Sequence, residues 1–240
     1  MSSLMTLKEV LRMGAFRIAH YQRGYAWEDE QLEDFWDDLE SLDNTQIHSL
    51  NMLTLQRRSD LDSNQRLDEK ILSDVVTFEV IDGQQRLTTS VILISVFLKN
   101  IKNSNLDKDT YISKEELCKE ENGGKYYVFG YSNDKDSFDA LEKIIHNEKT
   151  SRVKSVYTKN LFNAQKFFGK KIKNLPTDKK RDLFKLLLNN MAFNVYEISE
   201  KLDVLTTFET INNRGKRLSS LELLKNRLHF LAPKVTNNKI

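Results

Sequence analysis

The chain has 240 residues, 39% of them hydrophobic and 30% charged, with a formal net charge of +2 at pH 7. That length suffices for one large domain, or a domain with a subdomain, around a real core, and the composition is that of a soluble globular protein. The longest apolar run, SVILISVFL, is about half of what a bilayer span needs, and the opening MSSLMTLKEVLRMG has no signal-peptide core, so a cytoplasmic protein without a membrane partner is expected.

Cys118 is the sole cysteine, which excludes a disulfide framework and a CxxC metal site. It falls in a polar helix or loop with no evident partner. Two prolines and eight glycines point to long helices. Charge is unevenly spread: residues 28–43 carry nine acids and no base, whereas Lys149 to Lys185 holds twelve bases against Asp178 and Asp182. Such an asymmetry suits a polyanion surface, although a solvated helical face is the commoner meaning.

In chain order, MTLKEVLRM predicts a short helix and GAFRIAHYQ an extended segment. In the overlapping HYQRGYAW, Tyr21, Arg23, Tyr25 and Trp27 alternate and would share one side of an extended chain. An arginine between aromatics suits a phosphate beside a stacked base; the plain alternative is a strand burying its aromatics while Arg23 reaches solvent. WEDEQLEDFWDDLESL is an amphipathic helix with Leu32, Phe35, Trp36, Leu39 and Leu42 on one face. SLNMLTLQR predicts a strand, RSDLDSNQRLDEK a polar loop or hairpin excursion, and DVVTFEVI a second strand. QQRLTTSVILISVFLKNI is apolar on most sides and predicts the central helix. From about Ile112 the pattern turns helical, through KDSFDALEKIIH, SRVKSVYTKNLFNAQKFFGKKIK and TDKKRDLFKLLLNN, with ENGGKYYVFG a turn holding a short strand at most. MAFNVYEIS predicts a strand rejoining the first sheet, and KLDVLTTFETINNRGKRLSSLELLKNRLHFL a helix, turn and helix. The expected organisation is an α+β core over 1–110, a helical subdomain over 111–190 and a closing unit over 191–240.

Neither a P-loop nor a GxGxxG fingerprint occurs. FEVIDGQQRLTT offers another route to phosphate. A buried strand ends at Asp82-Gly83 and a helix starts at once, so its first N–H groups lack partners and attract an anion. Gly83 allows close backbone approach, and Arg86 adds a planar fork for phosphate oxygens. Gln84 and Gln85 both donate and accept, which suits a water or a ribose hydroxyl. Asp82 is either a helix cap or a water-mediated Mg²⁺ ligand. In FETINNRGKRLSS, Asn212 and Arg214 bring an amide and a guanidinium to a turn, yet capping by Gly215 and Ser219 explains that turn without a ligand. His20, His48, His146 and His229 are scattered and assemble neither a zinc site nor an HNH-type nuclease. Arg152, Lys159, Lys166, Lys170 and Lys173 fall within about a 60° helical stripe that can track DNA phosphates or simply face solvent; Lys171 breaks it.

Taken together and in order, YQRGYAW with its acidic helix, VIDGQQRLTT, and FETINNRGKRLSSLELLK resemble the DGQQR-motif domain of modification-dependent restriction systems. These include the GmrSD-type enzymes and the SspE-type effectors of phosphorothioate-linked phage defence. The resemblance spans about Met5 to Leu231. It implies a ParB/sulfiredoxin-like core, a small mixed sheet with a central helix, followed by a mainly helical extension. It also implies an NTPase, GTP favoured and Mg²⁺-dependent, whose cycle is coupled to recognising modified DNA. Asp82, Gly83, Gln84, Gln85 and Arg86 match the motif, as do Tyr21, Gln22 and Arg23. The roles implied are phosphate binding by Arg86 and the helix start, closure by Arg23, and placement of water or metal by Asp82, Gln84 and Gln85. Ile18-Ala19-His20 stands where the family has Ile-Pro, and Asn51 where it often has glycine. Complete enzymes of this type carry an HNH nuclease domain, so cleavage is expected from a separate domain or subunit; a homo-oligomer is compatible with the sequence.

Overall fold

The computed structural model describes residues 2–19, 21–59, 63–101, 110–148 and 155–199, with positions 61, 107 and 153. The expected α+β architecture is found: eight helices and a mixed six-stranded sheet among the described residues. The chain opens with β1 (Ser2–Thr6), α1 (Leu7–Arg12) and β2 (Ala15–Ile18), then the acidic α2 (Asp29–Glu40). The long β3 (His48–Arg57), the short α3 (Ser63–Asp68), β4 (Thr77–Asp82) and α4 (Gln84–Asn100) complete the first half. A single-turn α5 (Lys114–Leu117) leads into the hairpin β5 (Cys118–Glu121) and β6 (Gly124–Tyr127), then β7 (Phe129–Tyr131). Three helices, α6 (Lys135–His146), α7 (Val156–Lys173) and α8 (Thr177–Asn189), precede β8 (Met191–Ile198).

The sheet order is β1-β8-β3-β4-β2-β7. β4, β2 and β7 are mutually parallel, so their carboxyl ends lie along one edge. Open α/β sheets place ligands beyond such ends. MAFNVYEIS does rejoin the sheet, between β1 and β3.

α4 is the central helix because every position from Leu87 to Phe97 is buried. Its buried hydroxyls need partners and find them one turn back: Thr88, Thr89, Ser90 and Ser95 donate to the carbonyls of Gln84, Gln85, Arg86 and Val91 at 2.7–2.9 Å. Around it, Phe97 stacks on Phe184 of α8 at 5.3 Å, and Phe168 of α7 meets Phe35 and Trp36 of α2. Each such buried side chain contributes about 1.5–3 kcal/mol. Leu32, Phe35, Trp36 and Leu39 form the predicted apolar face of α2, with Leu42 partly buried beyond its end.

On β2, Phe16 and Ile18 join this core, so the intervening Arg17 belongs to the opposite face. It is fully buried and donates to the carbonyls of Phe16, Glu69, Lys70 and Tyr127, and its Nε lies 3.9 Å from the Glu69 carboxylate. Glu69 is also gripped by Arg58 at 2.6 and 3.0 Å. Burial lowers the Arg17 pKa to about 9, which leaves it charged at neutral pH. The polar stretch after β3 is thereby pinned to the sheet, and it contains α3 rather than only a loop. Among the described residues no helix is long and apolar enough to cross a membrane.

Candidate functional site

The β4–α4 junction is built by a bulge. Leu55 pairs with Val80 and Thr54 with Asp82, which leaves Ile81 as the extra residue. Such a bulge bends the strand and re-aims its end. Gly83 then turns the chain at φ +91°, and a Cβ there would lie 2.8 Å from the Met52 carbonyl oxygen. Only glycine meets both demands. No side chain caps α4, so its first N–H groups present their positive end to the junction.

Asp82 is half-buried, and its Oδ1 accepts the Gly83 N–H at 2.8 Å. Burial raises its pKa, opposed by that bond and by Arg86. Gln85 has both amide ends occupied: Oε1 accepts from the Ala26 N–H at 2.8 Å and Nε2 donates to the Gly24 carbonyl at 3.2 Å. It is a clamp on the YQRGYAW loop. The Arg86 guanidinium lies 5.8 Å over the Trp27 ring and makes no ion pair or hydrogen bond among the described residues.

Residues 21–27 are a loop, and its aromatics do not share a side. The Tyr21 hydroxyl donates to Glu79 of β4, Tyr25 bonds Thr89 of α4 at 2.7 Å, and Trp27 packs on Phe35 of α2 at 6.0 Å. Gln22 Nε2 donates to the carbonyls of Val80 and Ile81. Burial drives the Tyr21 and Tyr25 hydroxyls far above their ordinary pKa, so both remain neutral. Arg23, half-buried, makes no ion pair or hydrogen bond among the described residues. The two motifs that stood 60 residues apart are therefore one structure, sewn together by Gln22 and Gln85.

Gln22 Oε1, Gln84 Oε1 and Thr54 Oγ1 are buried with no hydrogen-bond partner among the described residues. Leaving a buried polar atom unpaired costs about 1–3 kcal/mol, so these three ask for a water or a ligand. Thr54 was invisible in the sequence, because only the strand register sets it opposite Asp82. The donors and acceptors present fit a nucleotide: an uncapped helix start, two arginines that form no direct ion pair among the described residues, and oxygens awaiting hydroxyl or amino donors. They fit Mg²⁺ less directly. No three His, Cys, Asp or Glu side chains among the described residues converge on a metal site, so Asp82 would hold Mg²⁺ only through water and the phosphates themselves.

Lys159, Lys166, Lys170 and Lys173 are exposed on α7 as expected; Arg152 lies outside the described residues, as do Asn212 and Arg214. Lys171 leaves the stripe because it pairs with Glu33 of α2 and covers the Phe167 ring at 5.6 Å. The amino end of α7 meets the loop of the site: Asn160 Nδ2 donates to the Tyr25 carbonyl at 3.4 Å, and Tyr157 packs on Gly24. Cys118 does have a neighbour, contrary to expectation. It opens β5, and its sulfur lies 3.6 Å from Nε2 of His146, which also meets the Tyr127 hydroxyl at 2.9 Å. Burial raises the thiol pKa and lowers that of His146, so both stay neutral.

The family model described as the N-terminal domain of the GmrSD restriction endonuclease matches residues 7–229. No curated protein matches the chain.

Proposed function

The chain belongs to the GmrSD restriction endonuclease N-terminal domain family and is a component of a restriction system; from that premise we propose that it binds a nucleoside triphosphate, GTP favoured, at the β4–α4 junction and hydrolyses it with Mg²⁺. One observation carries this reading. An uncapped helix start at the β4–α4 junction is joined by Gln85 and Gln22 to the loop that carries Arg23, with Arg86 in its first turn and buried oxygens that have no donor among the described residues.

In this reading the first-turn N–H groups of α4 and Arg86 hold phosphate oxygens, and Arg23 closes from the facing loop. Mg²⁺ supplies charge neutralisation on the phosphates, with Asp82 ordering its water shell. Gln84 has its amide oxygen free to orient the attacking water, whereas Gln85 acts through the loop it clamps. Positioning and charge neutralisation carry most of phosphoryl transfer, so no strong base is needed. The exposed lysines of α7 track DNA phosphates, and the nuclease step belongs to a separate domain or subunit.

A second reading, nucleotide-gated DNA binding without hydrolysis, has its own support. Asp82 resists ionisation and Gln85 is fully engaged, which leaves few groups to organise water. Phosphate release from GTP, ATP, CTP and UTP with Mg²⁺ separates the two. We expect turnover by the wild type that drops at least tenfold in Arg86→Ala, consistent with loss of a charge-assisted phosphate contact. Absence of turnover alongside a nucleotide-induced rise in melting temperature would leave only the second reading. Absence of both would end the nucleotide assignment.

A further inference from the structure

Two consecutive residues of α4 meet two consecutive residues of the loop. Gln85 Oε1 accepts the Ala26 N–H at 2.8 Å, and the Arg86 guanidinium lies 5.8 Å over the Trp27 ring. Trp27 is held in turn from α2, where Phe35 meets it in a T-shaped contact at 6.0 Å. The indole under Arg86 is therefore fixed through its backbone neighbour and through its ring.

Acidic groups surround this contact. Asp82 is near enough for Arg86 to favour its ionised form, and Glu28, Asp29 and Glu30, all exposed, follow Trp27 directly. Among the described residues Arg86 pairs with none of them and takes the face of a neutral ring. The choice of partner matters for binding. A carboxylate would occupy the N–H fork and cancel its charge. A ring covers only the flat face of the guanidinium. Its N–H donors all lie in the plane, so they and the full positive charge stay available to another anion.

We propose that Trp27 is a positioning residue of the β4–α4 site: its ring holds the Arg86 guanidinium off Asp82 and off the acids that open α2, and presents it uncompensated to phosphate oxygens at the start of α4. Trp27 acts through Arg86 alone, so its removal counts only while Arg86 is present. The proposal rests on the nucleotide reading of that junction, and its test tells the two apart.

The experiment measures the affinity of the full chain for a non-hydrolysable GTP analogue with Mg²⁺, in the wild type, Trp27→Leu, Arg86→Ala and the double variant. Trp27→Leu weakens binding about tenfold, the loss of a partly desolvated cation–π contact. Binding by Arg86→Ala stays measurable through the helix start and Arg23, and in that background Trp27→Leu has no further effect. A merely structural tryptophan would cost the same in both backgrounds. Trp27→Phe, which keeps a ring beneath the guanidinium, recovers most of the affinity. Should Trp27→Leu fail to fold, Trp27→Phe is read in its place: about two- to threefold weaker than the wild type with Arg86 present, and no weaker without it. Equal losses in both backgrounds, or a Trp27→Leu protein that binds as tightly as the wild type, overturn the role of Trp27 and leave the nucleotide site standing. No analogue binding by the wild type removes both.

Discussion

Asp82 occupies a place where its surroundings disfavour its charge. Burial is the largest cause, and the Gly83 N–H and Arg86 offset it only in part. A carboxyl whose pKa is raised in the folded chain binds its proton more tightly there than when unfolded. Its contribution to stability is therefore present in acid and is lost as pH rises through the folded value. Above that value the buried charge costs stability. Asp82→Asn keeps an oxygen for the Gly83 N–H and removes the charge. We expect a melting temperature equal to or above that of the wild type at pH 7, an advantage that vanishes near pH 4, and nucleotide hydrolysis reduced at least about tenfold. A lower melting temperature with intact turnover would show a structural carboxylate. The neighbouring Gly83 was legible as a turn and a close approach. The bulge that makes both necessary was not, because it depends on the register against β3.

At the scale of elements, the sequence spoke clearly where periodicity is long. α2, α4, α6, α7 and α8 lie within the predicted segments, since their apolar faces repeat over three turns or more. β1 and β7 were missed for a common reason. One has five residues and the other three, and neither can alternate long enough to announce a strand. Asn51 is instructive in the other direction: its φ of +66° lies in the left-handed region, which asparagine tolerates better than most residues. The loop of residues 21–27 was legible as a candidate, but its attachment was not, since nothing in the sequence tells that Gln85 holds Gly24 and Ala26. Gln85→Ala removes two hydrogen bonds, worth about 0.5–1.5 kcal/mol each. Amide exchange should therefore accelerate in residues 21–27 and remain slow from Leu87 to Phe97, where the helix is buried. Uniform acceleration across both would mean that the clamp supports the whole fold rather than the loop.

Over the whole molecule the charge asymmetry of the sequence becomes an arrangement in space. The acidic α2 packs beside the basic α7, and Lys171–Glu33 closes the seam between them. Were DNA to lie along α7 as proposed, the exposed Asp34, Asp37 and Asp38 would stand on the neighbouring helix, α2. Repulsion from those acids weakens binding without contributing counterion release. The expected signature is a salt dependence set by the lysines alone. Replacing Lys166 and Lys170 with alanine should reduce the slope of log affinity against log salt by about 0.9 for each phosphate no longer neutralised. Neutralising the α2 acids should raise affinity and leave that slope nearly unchanged. A slope unmoved by the lysine changes would place DNA elsewhere on the protein.

The position of β8 has a consequence for synthesis. Residues 191–198 fill the gap between strands formed from residues 2–6 and 48–57, so β1 has no place in the sheet until that strand arrives, whereas β3, β4, β2 and β7 can already pair with one another. At about 5–20 residues per second, β1 waits roughly 10–40 s on the ribosome with neither edge paired. A nascent chain held up before residue 191 exposes the edges of both β1 and β3, and would need a chaperone on two strands rather than one.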